Sequence, residues 1–283
     1  MSSWEIVLLG AIAGFTIYLG LPVGRLQNVS GAVRAGLNAV AVGILIFLLW
    51  DVLSAGIDPV ETSLLDARNH GGSWLRFAGF AALLTVCVAI GLMTLVHYDM
   101  WLRRRRAAGV DGPGAASTAT LRSHAGPIAR LSEPKRLALF IALGIGFHNF
   151  SEGLAIGQSA ASGEISLALL LIIGFGLHNA TEGFGIVAPL AAENERPSWA
   201  FLGVMGLIGG GPTFLGTIVG QAWVNEWLFT AFLGLAAGSI LYVVIELLAV
   251  GRKLGYVEIA TWCILLGLFL GFATDMVLVA AGT

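Results

Sequence analysis

Eight separate stretches of about twenty mostly apolar residues run along this chain of 283 residues, at about 5–24, 33–54, 74–97, 137–158, 164–190, 199–222, 227–250 and 257–281. About 20 apolar residues is the length that carries an α-helix across the ~30 Å hydrocarbon core of a bilayer. Lipid offers the backbone no hydrogen-bond partners, so such a stretch must satisfy its own N–H and C=O groups, which a helix does. The expected fold is therefore all-α, a polytopic membrane protein with eight transmembrane helices. Composition agrees, with 57% hydrophobic and 11% charged residues, where a soluble domain carries about 25% charged. This excludes a disordered chain, a basic nucleic-acid binder and an ordinary cytosolic enzyme, and no nucleic-acid partner is expected. The 39 glycines are about twice the usual ~7% share, as expected where small residues let membrane helices approach closely.

Residues 1–283 read as a single transmembrane domain. The one long polar interval, 98–135, contains Arg103, Arg104, Arg105 and Arg106 and then a run rich in Gly, Ala, Ser and Pro; it reads as a flexible cytoplasmic loop between helices three and four. With the gaps numbered alternately from an outer N-terminus, 13 of the 15 basic residues fall on the inner side and only Arg68 and Arg76 on the outer. The positive-inside rule then places both termini outside. The arginine run is read as a topology determinant. Cys87 and Cys263 each sit inside an apolar run and read as buried free thiols. The start, Met-Ser-Ser-Trp-Glu, lacks the basic region of a cleaved signal, so the first apolar run is expected to remain as a helix.

The informative residues are those that lipid should exclude. The fourth span contains His148, Asn149 and Glu152, and the fifth contains His178, Asn179 and Glu182. Both read His-Asn-x-[Ser/Thr]-Glu-Gly, thirty residues apart. His and Glu at i and i+4 lie one turn apart on the same helix face, and the Asn flanks that face. A charge at mid-membrane costs roughly 2.5–3.5 kcal/mol on insertion scales. Interhelical polar bonding returns only ~1–2 kcal/mol or less, too little to offset two buried glutamates. If the two helices face each other, two carboxylates neutralise a divalent cation and two imidazoles add borderline-soft donors suited to zinc, iron or related first-row metals. Polar glue between helices and a metal-free proton relay are the other readings of the same residues. Gly153 and Gly183 should allow close backbone approach beside the cluster, Ser151 and Thr181 can bond back one turn, and Pro189 should kink span five.

These residues resemble the ZIP (ZRT/IRT-like) metal transporter family. His148-Asn149-Phe150-Ser151-Glu152-Gly153-Leu154-Ala155 and His178-Asn179-Ala180-Thr181-Glu182-Gly183 look like its paired signatures, and Ala188-Pro189-Leu190 is similar to the end of its fifth helix. The resemblance is specific over about 137–250 and one of topology elsewhere. It implies a three-two-three helix bundle, a homodimer, and movement of divalent metal, zinc first and also iron, manganese or cadmium, into the cytoplasm. It implies His148, Asn149, Glu152, His178, Asn179 and Glu182 as ligands. Asp51, near the outer end of span two where the family often has a polar residue, and Glu246, near the inner end of span seven, are expected along the pathway; a water-exposed helix end for Asp51 and a side chain reaching the interface for Glu246 are the other readings. No prosthetic group is implied; the metal is cargo. The chain departs from the family in having Ser151 and Thr181 where proline is usual before each glutamate. It also has Gly211 where some relatives carry an acidic ligand before proline, which points to one principal metal. The rival class is a membrane-embedded zinc hydrolase, but His-Glu-x-x-His is absent. An integral protein of a prokaryotic cell membrane is expected, arginine outnumbering lysine by 13 to 2.

Overall fold

The computed structural model describes residues 2–26, 30–108, 127–161, 165–192, 195–222 and 225–280. Within them lie eight α-helices: α1 Ser3–Phe15, α2 Gly31–Asn69, α3 Trp74–Ala108, α4 Glu133–Ala161, α5 Ile165–Ala192, α6 Trp199–Ala222, α7 Glu226–Leu254 and α8 Val257–Ala280. There is no strand among the described residues. Six segments are long and apolar enough to cross a membrane: Ser3–Arg25, Gly31–Asn69, Trp74–Trp101, Glu133–Ala161, Trp199–Ala222 and Glu226–Leu254. Shorter described apolar stretches mark α5 and α8, at Glu182–Ala191 and Val257–Ala273.

Three boundaries depart from the sequence expectation. The α2 helix continues from the expected end near 54 to Asn69; its 39 residues span about 58 Å at 1.5 Å per residue, nearly twice a hydrocarbon core. The α3 helix continues to Ala108, eleven residues past the expected end of span three and into the interval expected as a loop. Hydropathy marks where lipid ends, whereas helix ends follow propensity, and Leu, Arg and Ala favour helix in water too. A short 3-10 turn at Pro127–Arg130 and the start of α4 at Glu133 close that interval from the other side; its middle, 109–126, lies outside the described residues. The first span is also not a single α-helix. It ends as α-helix at Phe15 and continues as 3-10 turns, Thr16–Leu19 and Leu21–Arg25.

Helix directions follow from which residues meet. Against α7, α4 runs antiparallel, with Phe150 beside Phe232 and Phe140 beside Tyr242. Against the same helix α3 runs parallel, from Phe80 stacked on Trp227 at 3.9 Å to Gly91 against Leu235. Parallel to α2, α8 pairs Gly43 with Gly267 and Phe47 with Gly271 and Phe272. The α4 helix runs parallel to α6, and α1 parallel to α5 and antiparallel to α6. Together these contacts make successive helices alternate in direction, as eight consecutive crossings require.

Glycine seams tie four helices into one group and the other four into two pairs, which side chains such as Asn38, bonded to the Leu247 carbonyl, join into a second group. A Cβ at Gly153 would collide with the Thr213 carbonyl, at Gly216 with that of Phe150, and at Gly183 with that of Ile17. These seams join α1, α4, α5 and α6. Equivalent collisions at Gly43, Gly91, Gly238 and Gly267 join α2 to α8 and α3 to α7. Among the described residues, every glycine whose Cβ would strike another helix's backbone strikes one in its own group. Across the boundary the groups meet through side chains. Gly144 faces Ser239 Oγ, Phe140 packs edge-on to Tyr242 and Phe150 tilts against Phe232.

Candidate metal site

The two His-Asn-x-[Ser/Thr]-Glu-Gly motifs meet between α4 and α5. Asn149 Nδ2 on α4 lies 2.6 Å from Asn179 Oδ1 and 3.0 Å from Glu182 Oε2 on α5, and 3.0 Å from the Gly209 carbonyl on α6. One turn along α4, His148 Nε2 lies 3.1 Å from Glu152 Oε1, the i,i+4 contact expected from their spacing. All five side chains are buried, with Asn149 and Asn179 wholly enclosed. Asn149 Oδ1 is buried without a hydrogen-bond partner, an oxygen donor left over once the amide hydrogens are spent.

Local backbone chemistry explains why the site sits here. Pro212 has no N–H to give α6, so the ladder is interrupted at that turn. Its carbonyls face α4: Gly209 O accepts from Asn149, and Ile208 O packs against the bare Cα of Gly146. The break in α1 supplies the other side. Where an α-helix ends, its last carbonyls lose their intrahelical donors, and in an apolar interior they must be answered. Ala13 O is answered by Thr16 Oγ1 at 2.7 Å and by Asn179 Nδ2 at 3.2 Å. Asn179 therefore accepts from α4 and donates to α1.

Of the six expected ligand residues, His148, Asn149, Glu152, Asn179 and Glu182 come together. The side chains of His178 and Thr181 lie outside the described residues. Among the described residues no three His, Cys, Asp or Glu side chains already stand in metal-holding geometry. Glu152 is turned to His148 and Glu182 to Asn149. Ser151 Oγ stands 3.5 Å from the Phe147 carbonyl, at the outer limit of a back-bond, and α5 continues through Pro189 to Ala192.

Asp51 is brought close to the site: its charge acts on His148, Glu152 and Glu182. So is Asp275, which the sequence analysis does not assign to the site. The α2–α8 register that pairs 43 with 267 and 47 with 271 places Asp275 level with Asp51, and the two carboxyls interact electrostatically. Glu246 stands elsewhere. Counting along α7 from the Phe140–Tyr242 contact, it is level with Arg136 near the start of α4, half-buried. Reasoning from sequence also missed a buried ion pair, Arg136 Nη2 and Nε at 2.8 and 3.0 Å from Asp99 Oδ1. Its only trace in the sequence is an acid and a base inside apolar helices, 37 positions apart.

No individual curated protein matches the chain. The family model for ZIP zinc transporters matches residues 112–278, more than half of the chain and every residue of both motifs. The protein is thus an integral membrane protein of the ZIP zinc transporter family, whose members move divalent metal cations.

Proposed function

We propose that this protein carries divalent transition-metal ions, zinc first, into the cytoplasm of a prokaryotic cell through a site made by His148, Asn149, Glu152, His178, Asn179 and Glu182. The observation that carries the reading is the bond from Asn149 to Glu182, which joins the two motifs across adjacent helices. Two carboxylates there balance a doubly charged ion, and imidazole nitrogen favours zinc or iron over calcium and magnesium, which prefer oxygen alone. On arrival the metal takes Glu152 from His148 and Glu182 from Asn149, and Asn149 Oδ1 offers a further oxygen. Asp51 attracts the ion at the outer approach, and Glu246 lies on the way out.

Transport proceeds by alternating access, one group of helices moving against the other. The distribution of glycine supports this: backbone seams lock α1, α4, α5 and α6 together, while side chains, which can slide and repack, fill the boundary with the other helices. The 13 basic residues on one side support an outer N-terminus and an inner loop after α3. The protein works in the lipid bilayer of the cell membrane as a homodimer.

The test is zinc uptake by proteoliposomes holding the purified protein. Glu152→Ala and Glu182→Ala should each reduce uptake more than tenfold while the protein stays monodisperse in detergent. Native uptake by either variant overturns the site. Competition by iron, manganese and cadmium in the same vesicles ranks the cargo.

A further inference from the structure

The pair Asp99–Arg136 belongs to neither metal motif, yet it is buried about as deeply as the His148–Glu152 contact inside the site. The Arg136 side chain is 3% exposed and that of Asp99 8%. It joins α3, in one helix group, to α4, in the other. By contrast, Asn149 to Gly209, Asn179 to Ala13, Arg76 to Glu226, and Asn38 Nδ2 to the Leu247 carbonyl each stay inside one group. Beside the pair, Tyr98 packs edge-on to Phe140 across the same boundary, and Phe140 to Tyr242. Arg136 lies twelve residues before His148, about 18 Å along the helix axis, so it does not touch the metal.

We propose that Asp99 and Arg136 form a latch that the transport cycle must open and remake, so that the pair sets the rate of exchange between conformations and not the affinity for metal. The inference rests on the transport reading above. A buried ion pair contributes little to net stability, because removing both charges from water costs about what their attraction returns. It has a different property: the Arg136 charge is held in the interior beside the Asp99 carboxylate, and both groups are well solvated once the joint opens to water. The closed and open joints are thus close in free energy, which rapid alternation needs. If Asp99 is neutralised, closing must bury the Arg136 charge without that carboxylate; if Arg136 is neutralised, the bond that holds the joint shut is lost. If both are replaced by apolar groups, opening must expose apolar surface. Each change slows the cycle, the single ones at closing and the double one at opening.

The experiment uses the full chain in proteoliposomes and in detergent, with zinc as the probe. Asp99→Asn and Arg136→Gln should each slow zinc uptake at least fivefold while equilibrium zinc affinity stays within twofold of native. The reversed pair Asp99→Arg/Arg136→Asp should recover uptake to within twofold. The apolar pair Asp99→Leu/Arg136→Met keeps the protein folded even if the single variants do not; it should bind zinc normally and still carry it slowly. A purely structural pair predicts the reverse for that variant, native uptake with equal or higher thermal stability, and that result overturns the latch. Native uptake by both single variants, or loss of zinc affinity in step with loss of uptake, overturns it too. If the unaltered protein moves no zinc, the transport reading fails first, and independently.

Discussion

Asn149 Nδ2 and Asn179 Oδ1 stand 2.6 Å apart across the α4–α5 interface, and the second amide hands the contact on to the Ala13 carbonyl in α1. Three helices are thereby fastened through two side chains that also flank the glutamates. Asn179→Ala removes both contacts, while Thr16 still serves the Ala13 carbonyl and Glu182 and Gly209 still accept from Asn149; each hydrogen bond lost costs about 0.5–1.5 kcal/mol. The variant should melt several degrees lower in detergent and lose zinc uptake. An unchanged melting temperature would show that the contact fastens nothing.

The α4–α6 seam should not tolerate a side chain. At Gly216 a Cβ would strike the Phe150 carbonyl, whereas at Gly203 nothing lies within 4 Å. Gly216→Val should destabilise by about 1–3 kcal/mol through overpacking, and Gly203→Ala should change stability by less than about 0.5 kcal/mol. Thermal melts of the two in the same detergent check the contrast; equal behaviour would sink it.

Asp51 acts on the metal site by its charge and stands level with Asp275. Asp51→Ala should therefore raise the zinc concentration for half-maximal uptake several-fold and change the maximum rate by less than twofold. A large fall in maximum rate at unchanged half-saturation would assign Asp51 to the cycle itself and not to capture.

Where α5 gives way to α6, Glu195 lies 2.6 Å from Lys135 Nζ and 2.5 Å from Ser132 Oγ. Partial burial pushes its carboxyl up, but the Lys135 and Ser132 hydrogen bonds and the Lys135 charge outweigh that and hold it below the usual carboxylate value of 4.5. A lowered folded value means that the contact stabilises the protein fully above pH 4.5, and that this stabilisation is lost as pH falls through the folded value. Glu195→Gln should thus cost at most about 1 kcal/mol at neutral pH, as for a part-exposed pair. The difference from native should vanish in strong acid. A difference that is the same at every pH would remove the ion pair from the account.

Much of this was legible in the residues. Eight apolar runs became eight helices, because satisfying a backbone in lipid leaves a chain few alternatives. Glu152 one turn from His148 became a contact because helical spacing fixes such neighbours in advance. Helix ends were not legible: the outer part of α2, from Ser54 to Asn69, is polar enough to leave the membrane and still helical enough to continue. Asp99 with Arg136, and Asn179 with Ala13, were hidden for a different reason. Each joins positions far apart in the chain, and in the second the partner is a carbonyl, which every residue carries and which becomes available only because α1 stops at Phe15.

The uneven placement of the glycine seams has a consequence for inhibition. A small molecule seeking purchase inside either helix group would find backbone against backbone and no volume to enter. Between the groups, near Phe140 and Tyr242, it would find aromatic rings that can rotate aside. If transport runs by the proposed movement of one group against the other, a rigid wedge lodged there would halt it with the candidate metal site untouched, so raising the metal concentration would not relieve the block.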